Sequence, residues 1–342
     1  MKAMILRSVT DLAHNSEPLA MTIMPDPVPS DHEILIKVSA CGVCHTELDE
    51  IEGRTSPSLL PVIPGHQVIG RVADAGRKVK SLKPGDRVGV GWIYSSCGKC
   101  SYCLGGQENL CSGFRATGRD ANGGYAEYMT VPEDFAHKIP SIFTDMQAAP
   151  LLCAGAVGFR SVKLAGISNG QNIGLTGFGA SAHIVLQIIN FLFPDTGIFV
   201  FARSGEERAF ALELGALWAG DTMDVPPVLL DSIIDTTPVW KTVVEALNNI
   251  APGGRLVINA IRKEETDKDY LLNINYSRHL WMEKEIKSVA NVTRSDIREF
   301  LDIASRIPLV PEVQEYRLEE ANKALIELKQ GKIRGAKVII VG

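Results

Sequence analysis

Up to about residue 150, apolar residues come in short alternating runs broken by glycine and proline, the pattern of β-strands joined by turns. "EILIKVSACG", "GRVADAG", "DRVGVGW" and "GGYAEYMTVP" are such runs. From about residue 154 the texture changes to strands alternating with longer amphipathic stretches. "NIGLTGFG" predicts a strand running into a glycine turn, and "ASAHIVLQIINFLF" the helix that follows it. The strand "GIFVFA", helix "GEERAFALELG", strand "LLDSIID", helix "VWKTVVEALNNI" and strand "GRLVINA" continue the alternation. Strands separated by helices pair in parallel through right-handed crossovers, which predicts a doubly wound sheet. After about Asn291 come the helices "SDIREFLDIAS" and "LEEANKALIELKQGK" and a last strand, "AKVIIVG". The fold class is therefore α/β. A mostly-β domain is expected over residues 1–153, a dinucleotide-binding domain over 154–290, and a C-terminal segment, 291–342, that returns to the first domain.

Composition narrows the function more than the fold. A chain of 342 residues has room for two cores. Hydrophobic residues make up 45% and charged residues 22%, an ordinary globular balance. The net charge of −5 offers nothing to nucleic acid or to an anionic membrane. The richest apolar run, "HIVLQIINFLF", is interrupted by His183, Gln187 and Asn190, so no membrane span is expected. The start, "MKAMILRSVT", turns polar too soon for a secretory signal, which points to the cytoplasm, where thiols stay reduced. Seven cysteines, an odd number, suit metal ligation better than a set of disulfides.

Four of them, Cys97, Cys100, Cys103 and Cys111, fall within "CGKCSYCLGGQENLC". Two-residue gaps let neighbouring thiolates turn onto one ion, and the longer gap completes a tetrahedron. Four thiolates fill the coordination of zinc and leave no vacancy for a substrate, so the lobe, about residues 95–113, is expected to be structural. An iron–sulfur cluster is the alternative for such a tetrad. Cys41, Cys44 and Cys153 remain, with His66 between Pro/Gly turns in "PVIPGHQVIG". Scattered residues of this kind have no spacing rule, and a lone His or Cys in an apolar stretch is more often plain core than ligand.

"GLTGFGASAH" places Gly177, Gly179 and Ala182 in the pattern G-x-G-x-x-A between a strand and a helix. The first glycine makes the tight turn, the second admits the pyrophosphate to the backbone, and the small third residue packs helix on strand. An enzyme specialised for NAD would end the next strand, "IFVFARSGEE", in an acid that binds the ribose hydroxyls. Ala202 stands there instead, followed by Arg203 and Ser204. Losing the acid removes repulsion against a 2′-phosphate, and Arg203 can pair with it, so NADP(H) is favoured, with NAD(H) as the alternative.

The pieces "GVCHTEL", "PGHQVIGRV", "LKPGDRVGV", the tetrad, "QENLC", "GGYAEY", "LLCAG" and the glycine turn occur in an order that resembles the zinc-dependent alcohol dehydrogenases of the medium-chain dehydrogenase/reductase superfamily, over essentially the full length. The resemblance implies a GroES-like catalytic domain, a Rossmann domain for the nicotinamide cofactor, and two zinc ions per subunit. It implies that Cys44, His66 and Cys153 hold a catalytic zinc with one open position, and it leaves Cys41 as a small core residue. It gives Thr46 the hydroxyl that meets the alcohol, His45 a contact to the pyrophosphate, and Glu47 the carboxylate that orients the ligand histidine. Three positions depart from the family, Glu47 only slightly, since Asp is commoner there. Asp49 replaces a common histidine of the proton relay and is either a relay group or a plain exposed acid. Gln67 replaces a glutamate that follows the ligand histidine, and an amide is a poorer ligand.

The run "GWIYSSC" lies where the family lines its substrate pocket, which nominates Trp92, Ile93 and Tyr94. Thr55, where some relatives carry a bulky aromatic, hints at a roomier pocket. The implied function is reversible transfer of hydride between a primary alcohol or its aldehyde and the cofactor, in a homodimer or homotetramer. A polyol or secondary-alcohol dehydrogenase and a non-catalytic relative that keeps the fold are the alternatives.

Overall fold

The computed structural model describes every residue except Ala180, Pro308, Val310 and 332–334. The chain forms two compact units: Met1–Cys153 with Thr293–Ser305 and Val310–Gly342, and Ala154–Val292 with Arg306–Leu309. The return to the first unit thus begins at Thr293, and Arg306–Leu309 packs with the second unit.

After an antiparallel strand pair, Lys2–Leu6 with Leu19–Ile23, the first unit contains β1 (Glu33–Val43), α1 (His45–Ile51), β2 (Gln67–Ala75), β3 (Arg87–Val90), β4 (Tyr128–Pro132) and β5 (Ala136–Lys138). β1 pairs antiparallel with β2 and β4, β2 with β3, and β3 with β5. Along β1 the alternate residues Ile34, Ile36, Val38 and Ala40 point into the core, the period of two seen in the sequence. Each of the three larger side chains, Ile34, Ile36 and Val38, contributes about 1.5–3 kcal/mol by leaving water. The predicted strand "GGYAEYMTVP" is extended only from Tyr128. Its first half turns against the His66 loop instead: the Gly123 and Tyr125 N–H groups donate to Ile63 and Pro64 carbonyls at 2.7 and 3.0 Å.

The second unit contains α2 (Ala154–Ala165), β6 (Asn172–Thr176), α3 (Ala182–Leu192), β7 (Gly197–Phe201), α4 (Gly205–Glu213), β8 (Trp218–Gly220), β9 (Leu230–Asp235), α5 (Trp240–Asn249), β10 (Ile250–Ile258) and β11 (Glu285–Ser288). Among the described residues the strands form one parallel sheet in the order β8-β7-β6-β9-β10-β11, the predicted doubly wound arrangement. Ile173, Leu175, Val200 and Ile234 of the sheet pack with Val185, Leu186 and Ile189 of α3.

The chain then returns through α6 (Arg294–Ala304), β12 (Val313–Arg317), α7 (Ala321–Lys329) and β13 (Ala336–Ile340). β13 pairs antiparallel with β1, with Val338 opposite Gly42, so the last strand completes the first unit's sheet. The single helix read in "LEEANKALIELKQGK" is a 3₁₀ turn, Leu318–Glu320, followed by α7; its Lys332 lies outside the described residues. One correction concerns membranes. Asp145–Ala165, a helical turn, a 3₁₀ turn and α2 in succession, is long and apolar enough by composition to cross a bilayer, but 67% of its most apolar window is buried inside the protein. That is the signature of core packing.

Candidate metal centres and cofactor site

Cys44 leaves the end of β1 as the N-cap of α1. Its Sγ accepts the Thr46 N–H at 3.4 Å, and its own N–H donates to Glu47 Oε2 at 2.9 Å. His66 stands one residue before β2. Because Gly42 lies opposite Gln67 in the β1–β2 ladder, Cys44 and His66 emerge from adjoining strand ends. The turn into His66 needs Gly65, which sits at φ +97° with its missing Cβ facing the Tyr125 ring at 2.5 Å and Cys41 Sγ at 2.8 Å. Cys153 follows the 3₁₀ turn Ala149–Leu152, whose Leu151 and Leu152 are buried. A Cβ on Gly89 of β3 would lie 2.7 Å from Leu152 Cδ1, so Leu152 fills the space which that glycine leaves. Strand register and core packing thus bring together three residues far apart in sequence.

The ligand atoms of Cys44, His66 and Cys153 lie within 4.8 Å of one another, and Cys44 Sγ is 3.7 Å from His66 Nε2. In a zinc tetrahedron with Zn–S of about 2.3 Å and Zn–N of about 2.05 Å, sulfur and nitrogen ligands stand about 3.5 Å apart. The site therefore fits one zinc ion with three protein ligands. Its support is as specific as its ligands. Glu47 Oε1 pairs with His66 Nδ1 at 2.6 Å, which leaves Nε2 as the free coordinating atom. Burial alone would push the His66 imidazolium down, but the Glu47 carboxylate and the Cys44 thiolate outweigh it and hold its pKa well above the usual value. The same field favours a metal cation. Removing one partner from such a buried pair costs about 3–5 kcal/mol.

The remaining candidates divide. Thr46 is half-buried and His45 exposed, both in the first turn of α1. Asp49 is 4% exposed and accepts from Arg54 Nε at 2.5 Å, which corrects the reading of it as an exposed acid. Gln67 packs over Gly42, where a Cβ would meet its Oε1 at 2.6 Å. Trp92 donates from Nε1 to Glu50 Oε1 at 3.4 Å, stacks against Phe114 at 4.9 Å and carries Arg119 over its ring. Ile93 is 3% exposed and belongs to the first unit's apolar core. Tyr94 donates to Glu33 Oε1 at 2.7 Å and is nearly as buried. Thr55 is half-buried; its Oγ1 has no hydrogen-bond partner among the described residues. Cys41 is buried without exposure and outside the ligand group, as expected.

Glu50 was not singled out in the sequence. It is 1% exposed, its Oε2 has no partner among the described residues, and burial, then the Glu47 charge, push its pKa up to about 8. The available signal was a second acid on the buried face of α1, three residues after Glu47.

In the lobe, the sulfurs of Cys97, Cys100, Cys103 and Cys111 also lie within 4.8 Å of one another. Cys100 and Cys103 are 3.5 Å apart and Cys97 and Cys103 3.9 Å, against about 3.8 Å for two sulfurs on zinc. This is the span of one ion's ligand shell, which favours zinc over an iron–sulfur cluster. Backbone N–H groups of Lys99, then Cys100, pull the Cys97 thiol down to about 6, so it is ready to ligate as a thiolate. The missed anchor is Glu108. Buried inside the lobe, its Oε1 accepts from the Arg294 N–H at 2.8 Å and Nε at 3.0 Å.

In the second unit, Gly177 holds φ +79° between β6 and α3, and a Cβ there would press on Thr237 Cγ2 at 2.9 Å. At Gly179 a Cβ would meet nothing within 4 Å, so open space lies over that backbone. Ala182, buried at the start of α3, packs the helix on the sheet, and among the described residues no side chain caps the helix N-terminus. These features fit a pyrophosphate. Ala202 is buried at the end of β7 and Arg203 is exposed. Ser204 is the N-cap of α4, its Oγ accepting from the Glu206 and Glu207 N–H groups, so it has a structural task that the sequence reading did not give it. Arg208 was also missed. Its Nη1 donates to the Ala202 and Arg203 carbonyls at 2.7 and 2.9 Å and sets a second guanidinium beside the end of β7.

Comparison with known proteins agrees with this geometry. Residues 30–141 match the alcohol dehydrogenase GroES-like domain. The chain is 43% identical over 325 residues to "Probable alcohol dehydrogenase AdhA" of Mycobacterium tuberculosis, covering 94% of this chain and 91% of that protein. It is 35% identical over 323 residues to an alcohol dehydrogenase of Geobacillus stearothermophilus, covering 92% and 93%. Among solved structures, a cinnamyl alcohol dehydrogenase from Sorghum bicolor superposes with a TM-score of 0.85 at 26% identity, covering 98% of this chain and 97% of that one. The chain belongs to the zinc-dependent alcohol dehydrogenase family of the medium-chain dehydrogenase/reductase superfamily.

Proposed function

We propose that the protein is a zinc-dependent alcohol dehydrogenase and aldehyde reductase that acts on small to medium primary alcohols with NADP(H). The observation that carries this is the Cys44–His66–Cys153 cluster, with its ligand atoms within 4.8 Å and Glu47 locked on the far ring nitrogen of His66. Zinc held there would supply Lewis acidity, and the nicotinamide the acceptor of the electron pair. The residues do the rest. Glu47 keeps His66 oriented through Nδ1. Thr46 Oγ1 takes the proton that the alcohol hydroxyl loses, and Asp49, fixed by Arg54, passes it toward solvent. Trp92 and Thr55 shape the space for the substrate, while Ile93 supports it from the core. Gly177, Gly179 and the α3 N-terminus hold the pyrophosphate.

The preference for NADP(H) is supported by the missing acid at Ala202 and by Arg203 and Arg208 beside it, with Ser204 in reach as a hydroxyl. Self-association into a dimer or tetramer belongs to the same reading. β11 is an edge strand exposed along its length, with Ile286 within it and Trp281 and Met282 before it on the surface, an apolar edge that a second copy would cover. The same reading puts the protein in a reducing compartment such as the cytoplasm, where thiols stay available as ligands.

Initial rates over a panel of primary, secondary and polyhydric alcohols and their carbonyl products, with NADPH and NADH, test the proposal beside a metal analysis. Turnover of primary substrates with two zinc ions per chain is expected; a metal-loaded protein that turns over none of the panel refutes it. Arg203→Asp should raise the Michaelis constant for NADPH about tenfold or more relative to NADH. An unchanged ratio removes the phosphate argument.

A further inference from the structure

Between β5, the turn at Ser81 and Leu82, and α6 lies an open cavity of about 450 Å³, built wholly from the first unit. Its polar floor is His137, which is 4% exposed and makes no hydrogen bond to another described residue. Its rim carries Arg298, whose guanidinium has no ion pair or hydrogen bond among the described residues. Burial, then the charges of Arg298 and Arg294, push His137 down to about 3 against the opposing charge of Glu108, so the imidazole is neutral near pH 7 and keeps one N–H to donate. Lys138 at the edge is offset by Asp86 at 3.7 Å, and Asp302 is the single acid in the lining. Leu82, Pro140 and Leu301 supply an apolar wall.

A guanidinium without a carboxylate, above a buried donor without an acceptor, is complementary to one carboxylate. We propose that this cavity is a binding site for a small monocarboxylate with an apolar body, the carboxylate on Arg298 and His137 and the hydrocarbon against Leu82, Pro140 and Leu301. Inorganic phosphate fits less well, because it brings a second negative charge and nothing for the apolar wall. None of these residues belongs to the metal or cofactor machinery, so occupancy is separable from turnover.

Benzoate is the probe, titrated by calorimetry into the metal-loaded, full-length protein while the His137 ring resonances are followed by NMR. Saturable one-to-one binding that shifts those resonances is expected. Arg298→Gln should weaken benzoate about tenfold or more, with thermal midpoint, metal content and turnover unchanged. Benzamide, which has the same shape and no charge, should bind at least about tenfold less tightly. Absence of benzoate binding overturns the site. Binding that survives Arg298→Gln unchanged, or leaves His137 unmoved, belongs elsewhere and overturns it as well. Equal affinity for benzamide overturns the assignment of an anion.

Discussion

In the lobe, fifteen consecutive residues bring four sulfurs within 4.8 Å of one another, using a short helical turn and no strand of the main sheet. At the Cys44–His66–Cys153 site, the same closeness depends on the β1–β2 register, on Gly65 at φ +97° and on Leu152 seated against β3. The lobe is partly exposed and is tied to the fold by Glu108 and Arg294, whereas the three-ligand site is backed by the fully buried Glu47. A closed set of four thiolates needs only local chain geometry and stabilises its loop. A three-ligand set needs the whole domain to assemble it and an oriented carboxylate to keep it, which is the arrangement expected of a site that does chemistry.

The sharpest way to break this contrast is to delete one ligand from each region. Cys153→Ala removes a ligand from the open set and should cut turnover by about a thousandfold or more, since several kcal/mol of charge stabilisation goes with the metal. Dinucleotide binding and the thermal midpoint should change little. Wild-type rates in the variant would show that the cluster has no role in the reaction. Cys100→Ala should act in the opposite sense. Losing the lobe metal costs several kcal/mol, about 10 °C in the midpoint, and turnover should persist at temperatures where the variant is folded. A variant with unchanged midpoint and no activity would reverse the assignment of roles.

The two regions also differ in how legible they were. The tetrad could be read from spacing alone, because its geometry is local. Cys44, His66 and Cys153 carry no spacing rule, and only the resemblance to a family brought them together before the β1–β2 ladder did. The core strands and long helices followed their apolar periodicity, as in β1, β6 and α3. β11 was missed because every one of its residues is exposed, so "EIKS" carries no buried face to detect. α2 does not stand out in the sequence, since Gly155 and Gly158 depress its helix signal. At Gly158 a Cβ would meet Val185 Cγ2 at 2.6 Å, so close helix packing overrides propensity there. Glu50, Glu108 and Arg208 escaped because an acid or an arginine within a polar stretch reads as solvated surface until its partners are known.

The buried acids of α1 sharpen the contrast through pH. Free Glu50 ionises near 4.5, but in the fold burial and the Glu47 charge hold its proton until about pH 8. A raised folded pKa means stability that is full below the unfolded value and is lost as pH climbs through the folded one. Between about pH 4.5 and 8, wild type should therefore lose on the order of a few kcal/mol relative to Glu50→Gln, which keeps the acceptor for Trp92 and cannot ionise. Unfolding free energies of the two proteins across that range check this; parallel curves would mean that Glu50 carries no proton into the neutral range.

The smallest expected effect is the best control. Cys41 lies on β1, three residues before Cys44, and its sulfur fills a space bounded by Gly65 and Gly124. Burial raises its thiol pKa well above the usual value, with the Glu47 charge adding to it, so it stays protonated and is a poor ligand. Cys41→Ala should cost about 1 kcal/mol by opening a small cavity, with both metal ions retained and turnover near that of wild type. Metal content is the decisive readout. A fall from two ions to one would mean that the thiol taken here for core packing is a ligand, and that proximity to the open site, rather than the strand register, decides which sulfurs bind.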